Sequence, residues 1–406
     1  MSLLPPRLSR RVVLGSGAAF LVLPSCNQQS AAPPAATLED KVRLIETSLT
    51  PPSRLWNPSP AQATLERRMD HHHVPGVSIA LIENHSVVWA KGYGERRVGS
   101  GEAVNTETVF SVGSLSKIGT AMIALRMIDA GLLDLDEDVN TYLKSWKVPY
   151  GPEAQNERVT LRRLMSHTAG LNVSGFADFG PEEETPTTVE ILNGSGPAKN
   201  RPVRIIHEPG SIASYSGGGT TVTQLIVEDV TSQPFAAAAR RYVLDPLGMA
   251  RSTYKSPLPS SFGNIASAHG RDGGLSAAPR GWHSFPETAA SGLWTTPSDY
   301  AHMLIALVQS YLGRDGSFVS NALARTALTR APSSKYGLGP VVNGAGDNLR
   351  ISHTGSNEAY KARFDYYPHR GDGLVVATNG TKGGQLREEI RNAAAHVLGW
   401  PEPHDD

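Results

Sequence analysis

The chain has a single cysteine, Cys26, so no internal disulfide can staple it and its stability has to come from a buried core. It also lacks net charge. Its 38 basic and 38 acidic side chains cancel, which removes the strong positive field expected of a nucleic-acid binder. Long apolar runs are scarce: the stretch from Val12 to Leu23 falls short of the ~20 residues that a permanent bilayer span needs. What is plentiful is Gly (40) and Pro (29), which predicts many loops between the regular elements of a 406-residue chain.

The short apolar run has a context of its own. Arg7, Arg10 and Arg11 precede it as a positive n-region, and Ser9-Arg10-Arg11-Val12-Val13-Leu14 resembles a twin-arginine export signal. Leu23-Pro24-Ser25-Cys26 follows and resembles a lipobox, with Pro24 an unusual occupant. Cys26 is therefore the expected lipidation site, and a lipid-anchored protein of the periplasm or cell envelope is the expected location. Residues 27–37, rich in Ala, Pro, Ser and Gln, read as a flexible tether.

Beyond the tether, helical patterns cover Leu38–Leu49 and Pro60 to about His73. Then the pattern changes to β-rich runs. Val77–Ile82 and Val87–Gly94 predict a β-hairpin around Glu83-Asn84-His85-Ser86. Ser114–Ala130 is helical, with Ile118, Met122, Leu125 and Met127 buried and Gly131 as its stop. Further helices are expected at Thr220–Thr231, Phe235–Val243 and Pro297–Tyr311, strands at Tyr360–Tyr367 and Gly373–Thr378, and a last helix at Gln385–Leu398. Strand signals near both ends predict an α+β fold: one antiparallel sheet from about 75–110 and 335–406, flanked by helices, with a helical lobe inserted at about 115–330.

The chemistry centres on Phe110-Ser111-Val112-Gly113-Ser114-Leu115-Ser116-Lys117. Ser114 and Lys117, three apart at a helix start, share one face. A serine hydroxyl needs a base, and a desolvated lysine with a lowered pKa can supply it. Ser111 and Ser116 have no lysine three residues on. The segments Leu164–Leu171, Glu208-Pro209-Gly210 with Tyr215-Ser216-Gly217, Asp245–Met249, Gly292–Thr296 and His353-Thr354-Gly355-Ser356-Asn357-Glu358 then follow in order. With these motifs the chain resembles the serine β-lactamase/penicillin-binding-protein superfamily, in particular class C β-lactamases, family VIII esterases and low-molecular-weight penicillin-binding proteins. The absence of Gly-x-Ser-x-Gly excludes the α/β-hydrolase elbow.

The resemblance implies a β-lactamase/transpeptidase-like fold and an acyl-serine mechanism on a small-molecule or peptide ester, amide or lactam. It implies Ser114 as nucleophile, with Lys117 and Tyr215 sharing the proton traffic and the backbone N–H groups of Ser114 and Ser356 as the oxyanion hole. It places His353, Thr354, Gly355 and Gly217 at the substrate, with neither metal nor cofactor. Two positions depart from the pattern. Gly217 stands where the second motif carries Asn, and His353 stands where the third carries Lys. Both weaken a β-lactamase reading and favour an esterase or peptidase-like hydrolase; a non-catalytic penicillin-recognising sensor or scaffold is the alternative of another class. His71-His72-His73 diverge around a helix and are expected as a solvated helix end, not a metal site. His167 is expected to be structural, Glu358 a loop or cap residue, Asp299 a capping carboxylate, and Glu182–Glu184 a solvated loop.

Overall fold

A computed structural model of the chain describes residues 36–49, 62–277 and 280–401. Arg10-Arg11, the lipobox-like segment with Cys26 and most of the tether lie outside the described residues. Among the described residues no helix is long and apolar enough to cross a membrane.

The helices are α1 (Leu38–Thr47), α2 (Leu65–His72), α3 (Ser116–Asp129), α4 (Leu161–Met165), α5 (Thr188–Asn193), α6 (Gly217–Thr231), α7 (Phe235–Ala239), α8 (Thr288–Ser291), α9 (Pro297–Tyr311), α10 (Asn321–Ala327) and α11 (Gly383–Leu398). The strands are β1 (Gly76–Glu83), β2 (Ser86–Gly94), β3 (Phe110–Ser111), β4 (Trp294–Thr295), β5 (Val341–Asn343), β6 (Arg350–Ser356), β7 (Lys361–Tyr367) and β8 (Asp372–Thr378). Six of them form one antiparallel sheet in the order β2-β1-β8-β7-β6-β5, and β3 pairs with β4 in a separate two-stranded ribbon.

The sheet is covered on both faces. Val77, Ile79 and Leu81 of β1, with Leu374 and Val376 of β8, point toward α1, α2 and α11 and share a core with Ile45, Met69, Leu386 and Ile390. The alternate residues Ala80, Ile82, Val375 and Ala377 join the larger core on the opposite face. There α9 lies across β1, β2 and β8. Although α9 falls within the stretch read as the inserted lobe, it belongs to the layer against the sheet. Its start is well specified: Pro297 occupies the first turn, and the Thr296 hydroxyl accepts from the Asp299 N–H.

α3 is buried nearly all round, from Ile118 to Met127, as befits the axis between sheet and lobe. It begins two residues after Ser114, which sits in a preceding 3₁₀ turn, Gly113–Leu115. α6 begins at Gly217, three residues earlier than expected, because the Ser216 hydroxyl caps it by accepting from the Gly219 N–H and outweighs the weak helix propensity of three glycines. The histidine run is a correction. His72 is buried, its Nε2 2.9 Å from Glu389 of α11 and 3.1 Å from Arg68, so α2 is fastened to α11 by a buried Arg-His-Glu cluster. β6 was not expected as a strand because its sequence, Arg-Ile-Ser-His-Thr-Gly-Ser, is mostly polar. The buried Arg350–Asp365 pair, 3.4 Å apart, satisfies one of those polar groups inside the sheet.

Candidate active site

Ser114 reaches its position through three local devices. β3 pairs Ser111 with Trp294, and the Val112 N–H donates to the Leu293 carbonyl, tying the approach strand to the Gly292–Thr296 segment. Gly113 then takes φ +54°, a left-handed conformation that glycine adopts without strain. A Cβ added there would lie 2.6 Å from the backbone nitrogen of Ser356, and one added to Gly355 would lie 1.9 Å from the carbonyl oxygen of Val112. The two glycines thus let the Ser114 turn press its backbone against the end of β6. Among the described residues that edge is open: β5 pairs only with Arg350–Ser352, leaving His353–Ser356 with no strand on its outer side.

Lys117 follows one helical turn later. Its Nζ lies 3.2 Å from Ser114 Oγ and donates to the Ala290 carbonyl at 2.8 Å. The side chain is buried, and loss of hydration pushes its pKa down to about 7. α8, which supplies that carbonyl, is itself held to α3 by the Thr120 hydroxyl donating to the Ala289 carbonyl.

Tyr215 stands on the other side of Lys117, whose Nζ lies 5.0 Å from the ring centroid. Burial pushes the phenol up to about 12, while its interaction with the Ser114 hydroxyl opposes that rise. Behind Tyr215 is an aromatic cluster. His167 stacks at 4.4 Å, and Tyr336 packs edge-on to His167 and 5.9 Å from Tyr215. His167 Nδ1 accepts from the Ser216 N–H at 3.2 Å, which fixes the residue after Tyr215. Burial and the nearby Lys117 charge drive the His167 pKa well below its ordinary value. His167 is a support beneath the tyrosine, as expected of it.

A cleft of about 380 Å³ opens above Ser114 and Lys117, lined also by Phe176, Asp178, Gly217, Phe285, Ser356, Asn357, Glu358 and Lys361. Of the four residues expected at the substrate, Gly217 lines it. The space an Asn side chain would need there is taken by Phe176, whose ring would be 2.9 Å from an added Cβ. His353 and Gly355 are corrections. Gly355 is buried against Val112. His353 is buried under Tyr215 and Tyr336, at 6.2 and 6.0 Å between rings, with Nδ1 2.7 Å from the Thr354 carbonyl. Burial pushes its pKa down to about 4, so the imidazole is neutral at pH 7. Thr354 lies exposed on the open strand edge and does not line the cleft.

Sequence reasoning missed several residues here. Lys361 donates to Ser356 Oγ at 2.6 Å and to the carbonyls of Asn357 and Glu358, and burial pushes its pKa down to about 8. Asn357 Nδ2 donates to Ser111 Oγ and the Ser291 carbonyl, bracing the loop after β6. Glu358 belongs to a cluster: His283 Nδ1 lies 2.7 Å from Asp178 Oδ2 and 3.2 Å from Glu358 Oε2. Among the described residues this is the group whose His and carboxylate atoms approach closely enough, within 4.8 Å, to share a cation. The three residues lie 75 and 105 positions apart, so no local pattern signals them.

A hydroxyl beside a desolvated lysine and a buried phenol, at the end of an open strand between sheet and helical lobe, is an arrangement suited to serine-nucleophile acyl transfer. The Beta-lactamase family profile matches residues 61–398, and the chain belongs to that family, one of serine hydrolases with the β-lactamase/transpeptidase fold. It is 28% identical over 337 residues to Protein flp of Staphylococcus aureus (strain MRSA252), covering 80% of this chain and 64% of that protein's length. It is 29% identical over 264 residues to Penicillin-binding protein 4 of Amycolatopsis lactamdurans, covering 64% of this chain and 66% of that protein. Among solved structures, the octameric penicillin-binding protein homologue from Pyrococcus abyssi superposes with a TM-score of 0.67 at 25% identity, covering 83% of this chain and 76% of that one.

Proposed function

We propose that the protein is an exported serine hydrolase that cleaves carboxylic esters, or amides, through an acyl-Ser114 intermediate. The observation that carries this reading is the Ser114 Oγ–Lys117 Nζ contact of 3.2 Å with the lysine held near pH 7. About half of the lysines are then neutral at neutral pH. A neutral amine can keep one N–H on the Ala290 carbonyl and offer its lone pair to the Ser114 proton. The Oγ–carbonyl bond forms as that proton moves to Nζ, and the backbone N–H groups of Ser114 and Ser356 hold the oxyanion. When the intermediate collapses, the bond to the leaving group breaks and the proton returns to it. Tyr215, a neutral phenol, is placed to relay that proton. Water then attacks the acyl carbonyl by the same route and frees Ser114.

The esterase reading is favoured over β-lactamase because the cleft offers little fixed positive charge to a lactam carboxylate. His353 is neutral and buried, Lys117 is half-charged, and Lys361 is already bound by three oxygens. The test is turnover of p-nitrophenyl butyrate and of nitrocefin by the protein and its Ser114→Ala variant. Ester hydrolysis abolished by the substitution, with little nitrocefin turnover, is the expected result. Rapid nitrocefin hydrolysis would make β-lactamase the right name, and covalent labelling without turnover would make the protein a sensor or scaffold. The proposal includes acylation of Cys26 and residence in the cell envelope, which the mass of the mature N-terminal peptide checks.

A further inference from the structure

Arg387 is used by none of the steps above, yet it binds the peptide that carries one of the oxyanion donors. It lies in the second turn of α11, the helix packed on β7 and β8. Its Nη1 donates to the Gly355 carbonyl at 2.8 Å and to the Ala362 carbonyl at 2.6 Å. Those residues are register partners on β6 and β7, so a single nitrogen bridges the two strands at the end of β6. Glu388 faces the other side of the guanidinium, 3.4 Å from Nε, and is shared with Arg363. Burial opposes the Arg387 charge, but a guanidinium stays a cation throughout the pH range in which the protein is folded.

The Gly355 carbonyl and the Ser356 N–H are the two ends of one planar peptide unit and point in opposite directions. With the carbonyl turned inward to Arg387 and β7, the N–H is turned to the outer edge of β6, the side on which the Gly113–Ser114 turn packs. Two features leave this peptide soft. Position 355 has to be glycine because Val112 is so close, and glycine restrains its own torsions least. Among the described residues, no strand runs along the outer edge to hold the N–H in line. A cationic donor on the carbonyl offsets both. It fixes the peptide plane, and it draws electron density toward the carbonyl oxygen, which makes the N–H at the other end a stronger donor.

We propose that Arg387 is a positioning residue of the oxyanion hole: its guanidinium, bound to the Gly355 carbonyl, aims and polarises the Ser356 N–H. This rests on the proposal that Ser114 carries out acyl transfer in this cleft with the Ser356 N–H as one of its oxyanion donors. A mere tie between helix and sheet would lower stability without singling out the transition state.

The experiment compares wild type with Arg387→Met, which keeps most of the side chain's bulk but not its charge, and with Arg387→Lys, which restores a cationic donor. For p-nitrophenyl butyrate, kcat should fall about tenfold in Arg387→Met with KM within about twofold, a part of the roughly 10²-fold or more that a whole oxyanion donor is worth. Arg387→Lys should recover part of the loss. Inhibition by butane-boronic acid, whose tetrahedral Ser114 adduct places an oxygen in the hole, should weaken by about the same tenfold. Inhibition by p-nitrophenyl butyl ether, which has no carbonyl, should not change. Circular dichroism melts establish that each variant is folded at the assay temperature. If Arg387→Met is not, Arg387→Gln, which keeps neutral N–H donors, carries the same comparisons. An unchanged kcat, a change confined to KM, equal weakening of the boronic acid and the ether, or a folded Arg387→Lys as slow as Arg387→Met overturns the inference. If Ser114→Ala still hydrolyses the ester, or wild type does not, the hydrolase reading fails and this inference with it. Ser114-dependent turnover that is indifferent to Arg387 fails this inference alone.

Discussion

Following ester hydrolysis from pH 5 to 9 isolates Lys117. Its displacement from 10.5 to about 7 corresponds to about 5 kcal/mol set against the charged ammonium, all of it from burial. If the neutral amine is the base, kcat/KM rises about tenfold per pH unit below the inflection and levels off by about pH 8.5. An unperturbed lysine would instead leave only about one enzyme in 3,000 competent at pH 7, with activity still climbing at pH 9. Neither Tyr215, which interacts with the Ser114 hydroxyl, nor the buried His353 beneath it titrates in this range: they lie near 12 and near 4. Lys361 of the cleft wall, near 8, and the buried Glu287, pushed up to about 7 by desolvation, do. The inflection near 7 should therefore persist in Lys361→Gln and in Glu287→Gln. A profile that keeps climbing past pH 8.5, one that is flat, or an inflection that disappears in Glu287→Gln would refute the assignment.

Gly113→Ala places a methyl 2.6 Å from the Ser356 nitrogen at a positive φ, so kcat should fall about 10²-fold, the scale of one oxyanion-hole donor, while circular dichroism still reports a folded protein. His353 has a folded-state pKa near 4, below its unfolded value near 6.5, so the unfolded chain binds the proton first. Stability should be unaffected by this group above pH 6.5 and fall by up to about 3 kcal/mol as pH drops to 4, with the loss reduced in His353→Asn in denaturant melts. Glu389→Gln removes the carboxylate that binds Arg68 and His72 in the buried cluster between α2 and α11 and should cost about 3 kcal/mol in the same assay.

The parts of this molecule that could be read from the sequence are those with a short period or a short motif. β1 and β2 are β-rich runs of eight and nine residues about a short turn, α9 carries its own cap and proline, and Ser114 and Lys117 share one turn. What escaped notice depends on contacts distant in sequence. β6 reads as polar because its burial is compensated by Asp365 on the next strand. His72 looks solvated until Glu389, 317 residues away, is placed against it. Tyr336 and Phe176 carry no motif, yet one walls in Tyr215 and the other fills the space beside Gly217. His353 matches a motif position but sits beneath the cleft, because neither composition nor spacing tells which face of an edge strand is turned toward the substrate.

The pairing of β1 with β8 also sets an order of events during synthesis. β1 is made early, but its partner β8 emerges about 300 residues later, with Val77 opposite Thr378. Until the ribosome has released β6, β7, β8 and α11, the nucleophile turn has no strand to lean on and one flank of β1 is unpaired. Unfinished or C-terminally truncated chains should therefore be inert, sticky and quickly degraded. Folding, governed by such distant pairing, should be slow enough for chaperones to meet the chain first.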